Sequence, residues 1–136
     1  MRSVSLSSIR WITAGVALLA LAACSDAATL PGRDPQIVNV ADNFQYQISD
    51  IQSFSGSQVY SWQNSGTTAK VNQSAAITSG AVSLVLRDAN GTQVYARSLA
   101  DNGTFVSSAG VAGTWTVLVS YATANATVNF RVDKAP

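Results

Sequence analysis

Trp115-Thr116-Val117-Leu118-Val119-Ser120-Tyr121 sets a large apolar residue at every second position. Successive side chains of a β-strand point to opposite faces, so this stretch turns Trp115, Val117, Val119 and Tyr121 to one side. No apolar pattern of period 3.6 and helix length accompanies it. The period of two recurs along the chain. Downstream, Val128, Phe130 and Val132 alternate with Asn129 and Arg131. Upstream, Val82, Leu84 and Leu86 alternate with Ser83, Val85 and Arg87, and Phe44, Tyr46 and Ile48 alternate with Gln45, Gln47 and Ser49. Weaker strand candidates lie at 58–63, 68–74, 93–99 and 104–107. Their separators are rich in Gly, Asn, Asp and Ser, as in Asp88-Ala89-Asn90-Gly91, Asp101-Asn102-Gly103 and Ala112-Gly113. The expected fold is all-β: a small antiparallel β-sandwich over residues 40–136, with seven to nine strands in a jelly-roll or immunoglobulin-like arrangement.

Turn chemistry divides these strands. Tight hairpin turns need positive φ, which Gly adopts freely and Asn tolerates. Asn90-Gly91 is therefore predicted to close a hairpin between 84–86 and 94–96. Ala124-Asn125 is predicted to close a second, between the Trp115–Tyr121 strand and the strand over 127–132.

The residue inventory excludes much chemistry. The 136 residues include no His, no Glu and a single Cys, so His-based acid/base catalysis, Ser-His-Asp or Cys-His nucleophiles and His-ligated zinc are unavailable. The seven Asp residues fall mostly in predicted turns and in the segment before residue 40, and glycosidase chemistry needs two carboxylates facing one pocket. Neither catalytic nor cofactor-binding residues are expected. Asp88 with Asn90, and Asp101 with Asn102, are oxygen donors on loops, but a calcium ion takes six to eight ligands and no spaced carboxylate follows either pair. These residues are read as turn formers that bond to nearby backbone N–H groups, and no metal is expected.

The N-terminus speaks about address. Arg2 and Arg10 precede an apolar run from Trp11 to Ala23, which is too short to span a bilayer and ends in small residues, as a cleaved signal segment does. The sole cysteine follows directly, in Leu21-Ala22-Ala23-Cys24. This arrangement resembles the lipobox of bacterial lipoproteins. The resemblance implies that residues 1–23 are a lipoprotein signal peptide and that the Cys24 thiol receives a diacylglycerol. It further implies cleavage before Cys24 and acylation of the new N-terminus. Two or more acyl chains anchor stably where one holds only marginally. In enterobacterial lipoproteins an Asp directly after the Cys favours inner-membrane retention. Here that position is Ser25, so the resemblance implies an outer-membrane address. Residues 24–39, with Pro31, Gly32 and Pro35, read as a tether, although Ile37 and Val40 also suit a first edge strand.

Without residues 1–23, which carry Arg2 and Arg10, the 136 residues become 113, with six basic side chains against seven acidic ones and a net charge of −1. Phosphate backbones are bound by clustered Lys and Arg, so nucleic acid is not an expected partner. With Cys24 committed to lipid, no disulfide can support the fold.

The body carries a second resemblance. Val59-Tyr60-Ser61-Trp62, Val82-Ser83-Leu84-Val85-Leu86-Arg87-Asp88-Ala89-Asn90-Gly91, Ala112-Gly113-Thr114-Trp115 and Val128-Asn129-Phe130-Arg131-Val132 are similar, in order and kind, to bacterial pre-peptidase C-terminal domains and related jelly-roll sandwiches. That likeness implies a sandwich fold and non-catalytic attachment or binding. Tyr60 and Trp62 share one strand face amid Ser, Gln and Asn. They read as core aromatics or, if exposed, as a platform that stacks on sugar or docks a protein. The expected role is a lipid-anchored binding or accessory module for a protein or glycan, or alternatively a structural envelope component assembling through sheet edges.

Overall fold

The computed structural model describes residues 34–136; the expected signal peptide, Cys24 and the tether as far as residue 33 lie outside the described residues. Seven antiparallel strands account for the described fold, and among the described residues there is no helix. They are β1 (Gln36–Val40), β2 (Asn43–Asn64), β3 (Ala69–Gln73), β4 (Ala76–Arg87), β5 (Gln93–Ser98), β6 (Gly103–Val106) and β7 (Gly113–Lys134). Because β1 begins at Gln36, the edge-strand reading holds for Ile37 and Val40, and the sandwich starts four residues before the expected boundary.

Strands β2 and β7 are each 22 residues long and lie side by side along their whole length. Both bend midway, and each half belongs to a different layer. In one layer, sheet I, the strand order is β5-β4-β7-β2, using residues 113–121 of β7 and 57–64 of β2. In the other, sheet II, the order is β1-β2-β7-β3-β6, using residues 43–48 of β2 and 128–134 of β7. The result is one ladder folded into a small antiparallel β-sandwich.

The predicted β4–β5 hairpin is present, with Leu84 opposite Arg97 and Leu86 opposite Tyr95. The second predicted hairpin is not: residues 115–121 and 127–132 are two halves of one strand. The turn expected at Ala124-Asn125 does not form: neither residue adopts the positive φ that a tight turn there would use, and in this segment only Thr123 does, at 44°. One such residue makes a bulge, which bends a strand without ending it. The partner strands bend with it through register shifts at Ile48/Ile51, Ile51/Phe54 and Phe54/Gly56 in β2 and at Ile77/Ser79 and Ser79/Ala81 in β4. Gly80 makes the bend possible. Its φ is 74°, and a Cβ there would sit 2.1 Å from the Thr123 carbonyl oxygen.

The interior is built from the alternating residues of both sheets. Phe44, Tyr46, Val71, Phe130 and Val132 come from sheet II, and Trp62, Leu84, Leu86, Trp115, Val117 and Val119 from sheet I. Trp62 and Trp115 face each other across the ladder with ring centroids 6.0 Å apart at 87°, an edge-to-face pair. Phe130 stacks on Tyr46 at 5.1 Å. Two buried amides join the layers. Gln58 of sheet I accepts from the Tyr46 hydroxyl of sheet II at 2.6 Å, and that hydroxyl also meets Tyr121 Oη at 2.6 Å. Gln73 of sheet II donates to the carbonyls of Ser98 and Asp101 at 3.0 and 2.7 Å and accepts from the Tyr95 hydroxyl. Buried polar groups are costly unless bonded, and these are satisfied within the core.

Candidate functional surface

Trp62 is only 1% exposed, and its Nε1 donates to the Val40 carbonyl at 3.2 Å. The face it shares with Tyr60 is the interior one. Tyr60 is half-buried against Phe44 and Tyr46, at 5.5 and 6.0 Å between ring centroids, and burial pushes its hydroxyl pKa up. Core packing therefore accounts for the pair, and the stacking platform considered as the alternative is corrected: no aromatic face of Trp62 is open to a ligand. The physical reason is that both residues lie on the side of β2 covered by the opposite sheet.

Asp88 behaves as the expected turn former, whereas the Asp101 carboxylate pairs with a side chain instead. Asp88 is 5% exposed, and its Oδ1 accepts from the N–H groups of Asn90 and Thr92 at 3.0 and 2.9 Å while Oδ2 accepts from Val111 N–H at 2.9 Å. The Val111 contact first, then those with Thr92, Asn90 and Gly91, hold its carboxyl below the usual range against the opposing effect of burial. Asp101 pairs with Arg97 at 3.6 Å, and Asn102 exchanges two hydrogen bonds with the backbone of Ala75. Asp42, at the β1–β2 turn with φ 67°, accepts from both the N–H and the hydroxyl of Ser65, which hold its carboxyl low, and Lys134 lies 3.9 Å away.

At the bend, Asp50, Gln52, Thr78, Asn125 and Thr127 line a groove of about 260 Å³. Asn125 Oδ1 accepts from Ser53 N–H at 2.5 Å, and Thr127 Oγ1 accepts from Asp50 N–H at 3.4 Å. The two side chains thus satisfy donors that the β2 bulges remove from the ladder, and the groove's polar lining is explained by that repair.

The outward faces of the two sheets are the remaining ordered surfaces. Strand register fixes what each displays. On sheet II three rows cross the strands: Gln36–Gln47–Asn129, then Val38–Gln45–Arg131–Asn72–Thr104, then Val40–Asn43–Asp133–Lys70–Val106. Asp133 ties two rows together, accepting from Asn43 Nδ2 at 2.5 Å and pairing with Arg131 at 3.3 Å, while Gln45 Nε2 donates to Asn43 Oδ1 at 3.1 Å. A depression of about 160 Å³ lies over Gln36, Val38, Gln45, Gln47 and Asn129. On sheet I the rows are Ser57–Ser120–Ser83–Ser98, Val59–Leu118–Val85–Ala96 and Ser61–Thr116–Arg87. The polar residues of these rows were read in the sequence only as the outward halves of alternating pairs. The available signal was the carboxamides: Asn is depleted in strands, yet Asn43, Asn72 and Asn129 all sit inside them.

No protein-family model matches the chain, and no curated protein is similar to it. Among solved structures, it is similar to a chain in the crystal structure of accessory secretory proteins 1, 2 and 3 of Streptococcus pneumoniae, with 6% sequence identity, coverage of 82% of this chain and 93% of that chain, and a TM-score of 0.39.

Proposed function

We propose that this protein is a lipid-anchored component of a bacterial envelope, held at the outer membrane through Cys24, whose β-sandwich serves as a non-catalytic binding or accessory module for a protein or glycan. One observation carries the anchoring: Leu21-Ala22-Ala23-Cys24 directly follows a positively started, short apolar leader, and Cys24 is the only thiol in the chain. Residues 25–35 separate it from β1, and eleven extended residues reach at most about 40 Å, enough to stand the sandwich clear of a lipid surface. The non-catalytic role is supported by the disposition of the carboxylates: Asp42 and Asp88 are committed to backbone donors, and Asp101 and Asp133 to arginines.

The test is fractionation of cells producing Cys24→Ser. Release of the variant into the soluble fraction, with lipid mass on wild-type Cys24, is the expected result. Unchanged membrane association would overturn the anchor.

A second reading is favoured by β1, in which this protein is a structural component assembling through sheet edges. β1 is an edge strand of five residues without a charge, and Val38 and Val40 are exposed on it, a pattern open to strand addition. Concentration-dependent dimers abolished by Val38→Lys would favour that reading, and a monomer at all concentrations would remove it.

A further inference from the structure

We propose that the outward face of sheet II is a binding track for an extended β-linked polysaccharide whose chain crosses the β-strands. The proposal rests on the envelope-module reading and selects glycan over protein as the ligand. Neighbouring strands in a sheet lie about 4.8 Å apart, close to the advance per sugar along an extended β-linked chain. A chain laid across the strands therefore meets a new side chain at each sugar. The row Gln36–Gln47–Asn129 presents carboxamides on three successive strands, β1, β2 and β7. The adjoining row presents Gln45, Arg131, Asn72 and Thr104 on four, so hydrogen-bonding groups continue from edge to edge.

The chemistry suits hydroxyl-rich ligands. A carboxamide places a donor and an acceptor side by side, matching neighbouring sugar hydroxyls, and it carries no charge whose desolvation would oppose binding. Three of these side chains are oriented in advance: Asp133 holds Asn43 and Arg131, and Asn43 holds Gln45, which lowers their ordering cost on binding. Val38 adds an apolar contact beside the 160 Å³ depression, which is large enough for part of a sugar ring. Protein interfaces instead concentrate aromatic side chains and Met at their centre, and this face has none. Lacking an aromatic platform, the track holds each sugar weakly and gains strength only by repetition along the chain.

The experiment is co-sedimentation of the full-length, detergent-solubilised protein with three insoluble β-linked polymers: peptidoglycan sacculi, chitin and cellulose. Wild type is expected to pellet with at least one, and short soluble fragments of that polymer are expected to compete poorly at equal sugar concentration. The variant Gln45→Ala/Gln47→Ala/Asn129→Ala should lose affinity by about tenfold or more, the scale of two or three net hydrogen bonds, with unchanged melting. Val59→Ser, on the opposite outward face, should bind as wild type. Failure of wild type to pellet with all three polymers, or wild-type binding by the triple variant, overturns the track. Loss of a captured protein from the triple variant, without polymer binding, would also overturn it. The Cys24→Ser fractionation reads the anchor separately, so polymer failure with soluble release removes the glycan assignment alone.

Discussion

The same two strands present two different surfaces. Outward from sheet I, β2 and β7 show Ser57, Val59, Ser61 and Thr116, Leu118, Ser120; past the bend, outward from sheet II, they show Asn43, Gln45, Gln47 and Asn129, Arg131, Asp133. Strand propensity does not explain the switch, since both halves are strands, and core packing does not, since all these side chains point away from it. The difference follows the layer. Sheet I carries small hydroxyls around an apolar row, and sheet II carries carboxamides with a bonded Asn-Asp-Arg network. A bent pair of strands thus lets one core support two chemically independent faces.

Trp62→Ala should have the largest effect, about 3–5 kcal/mol, because it empties a fully buried aromatic site opposite Trp115. Since β2 and β7 run through both layers, unfolding is expected to stay a single transition. Two separated melting steps would show that the layers are separate units. Tyr46→Phe should cost about 1–3 kcal/mol by stripping Gln58 and Tyr121 of their shared partner across the layers. Chemical denaturation of the variant measures this directly. Gly80→Ala should destabilise by more than about 1 kcal/mol, because the new Cβ meets the Thr123 carbonyl at a positive φ. Hydrogen exchange should then rise first in amides near residues 77–81 and 122–126; protection left intact there would mean that the bend does not depend on Gly80.

The pH dependence follows from the interior and the turns. Burial pushes Tyr121 up to about 12 and also raises Tyr46, so both fold as neutral phenols. Their contribution is complete below the ordinary tyrosine value of about 10 and is lost as pH rises through the raised values, which predicts alkaline unfolding that Tyr121→Phe shifts. Asp42 and Asp88 have lowered values, so their contribution is present above the ordinary carboxylate range and is lost as pH falls through those lowered values. Smallest of all, Asn129→Ala and Val59→Ser should each change stability by no more than about 0.5 kcal/mol. A large loss from Asn129→Ala would show that the carboxamide rows serve the fold.

Much of this was legible in the chain. Alternation located the strands, because the period of two is a local property, and Asn90-Gly91 located the β4–β5 hairpin, because positive φ is a local demand met by local residues. The continuity of β7 through Thr123 was hidden. A bulge and a hairpin turn share residue types, and pairing with β2 on both sides decides between them. The candidate surface was hidden too, since its rows unite residues 36–47, 70–72, 104–106 and 129–133.

The sequence by itself determined an all-β body over the described residues, the inward and outward halves of each strand, a body without a disulfide and the composition that withholds His and Glu chemistry. Only the tertiary structure decided which strand faces were sealed against each other, burying Trp62, and which carboxamides became neighbours on an open face. Alternation is written one residue after the next, whereas register joins strands far apart in the chain and exists only once the ladder has closed.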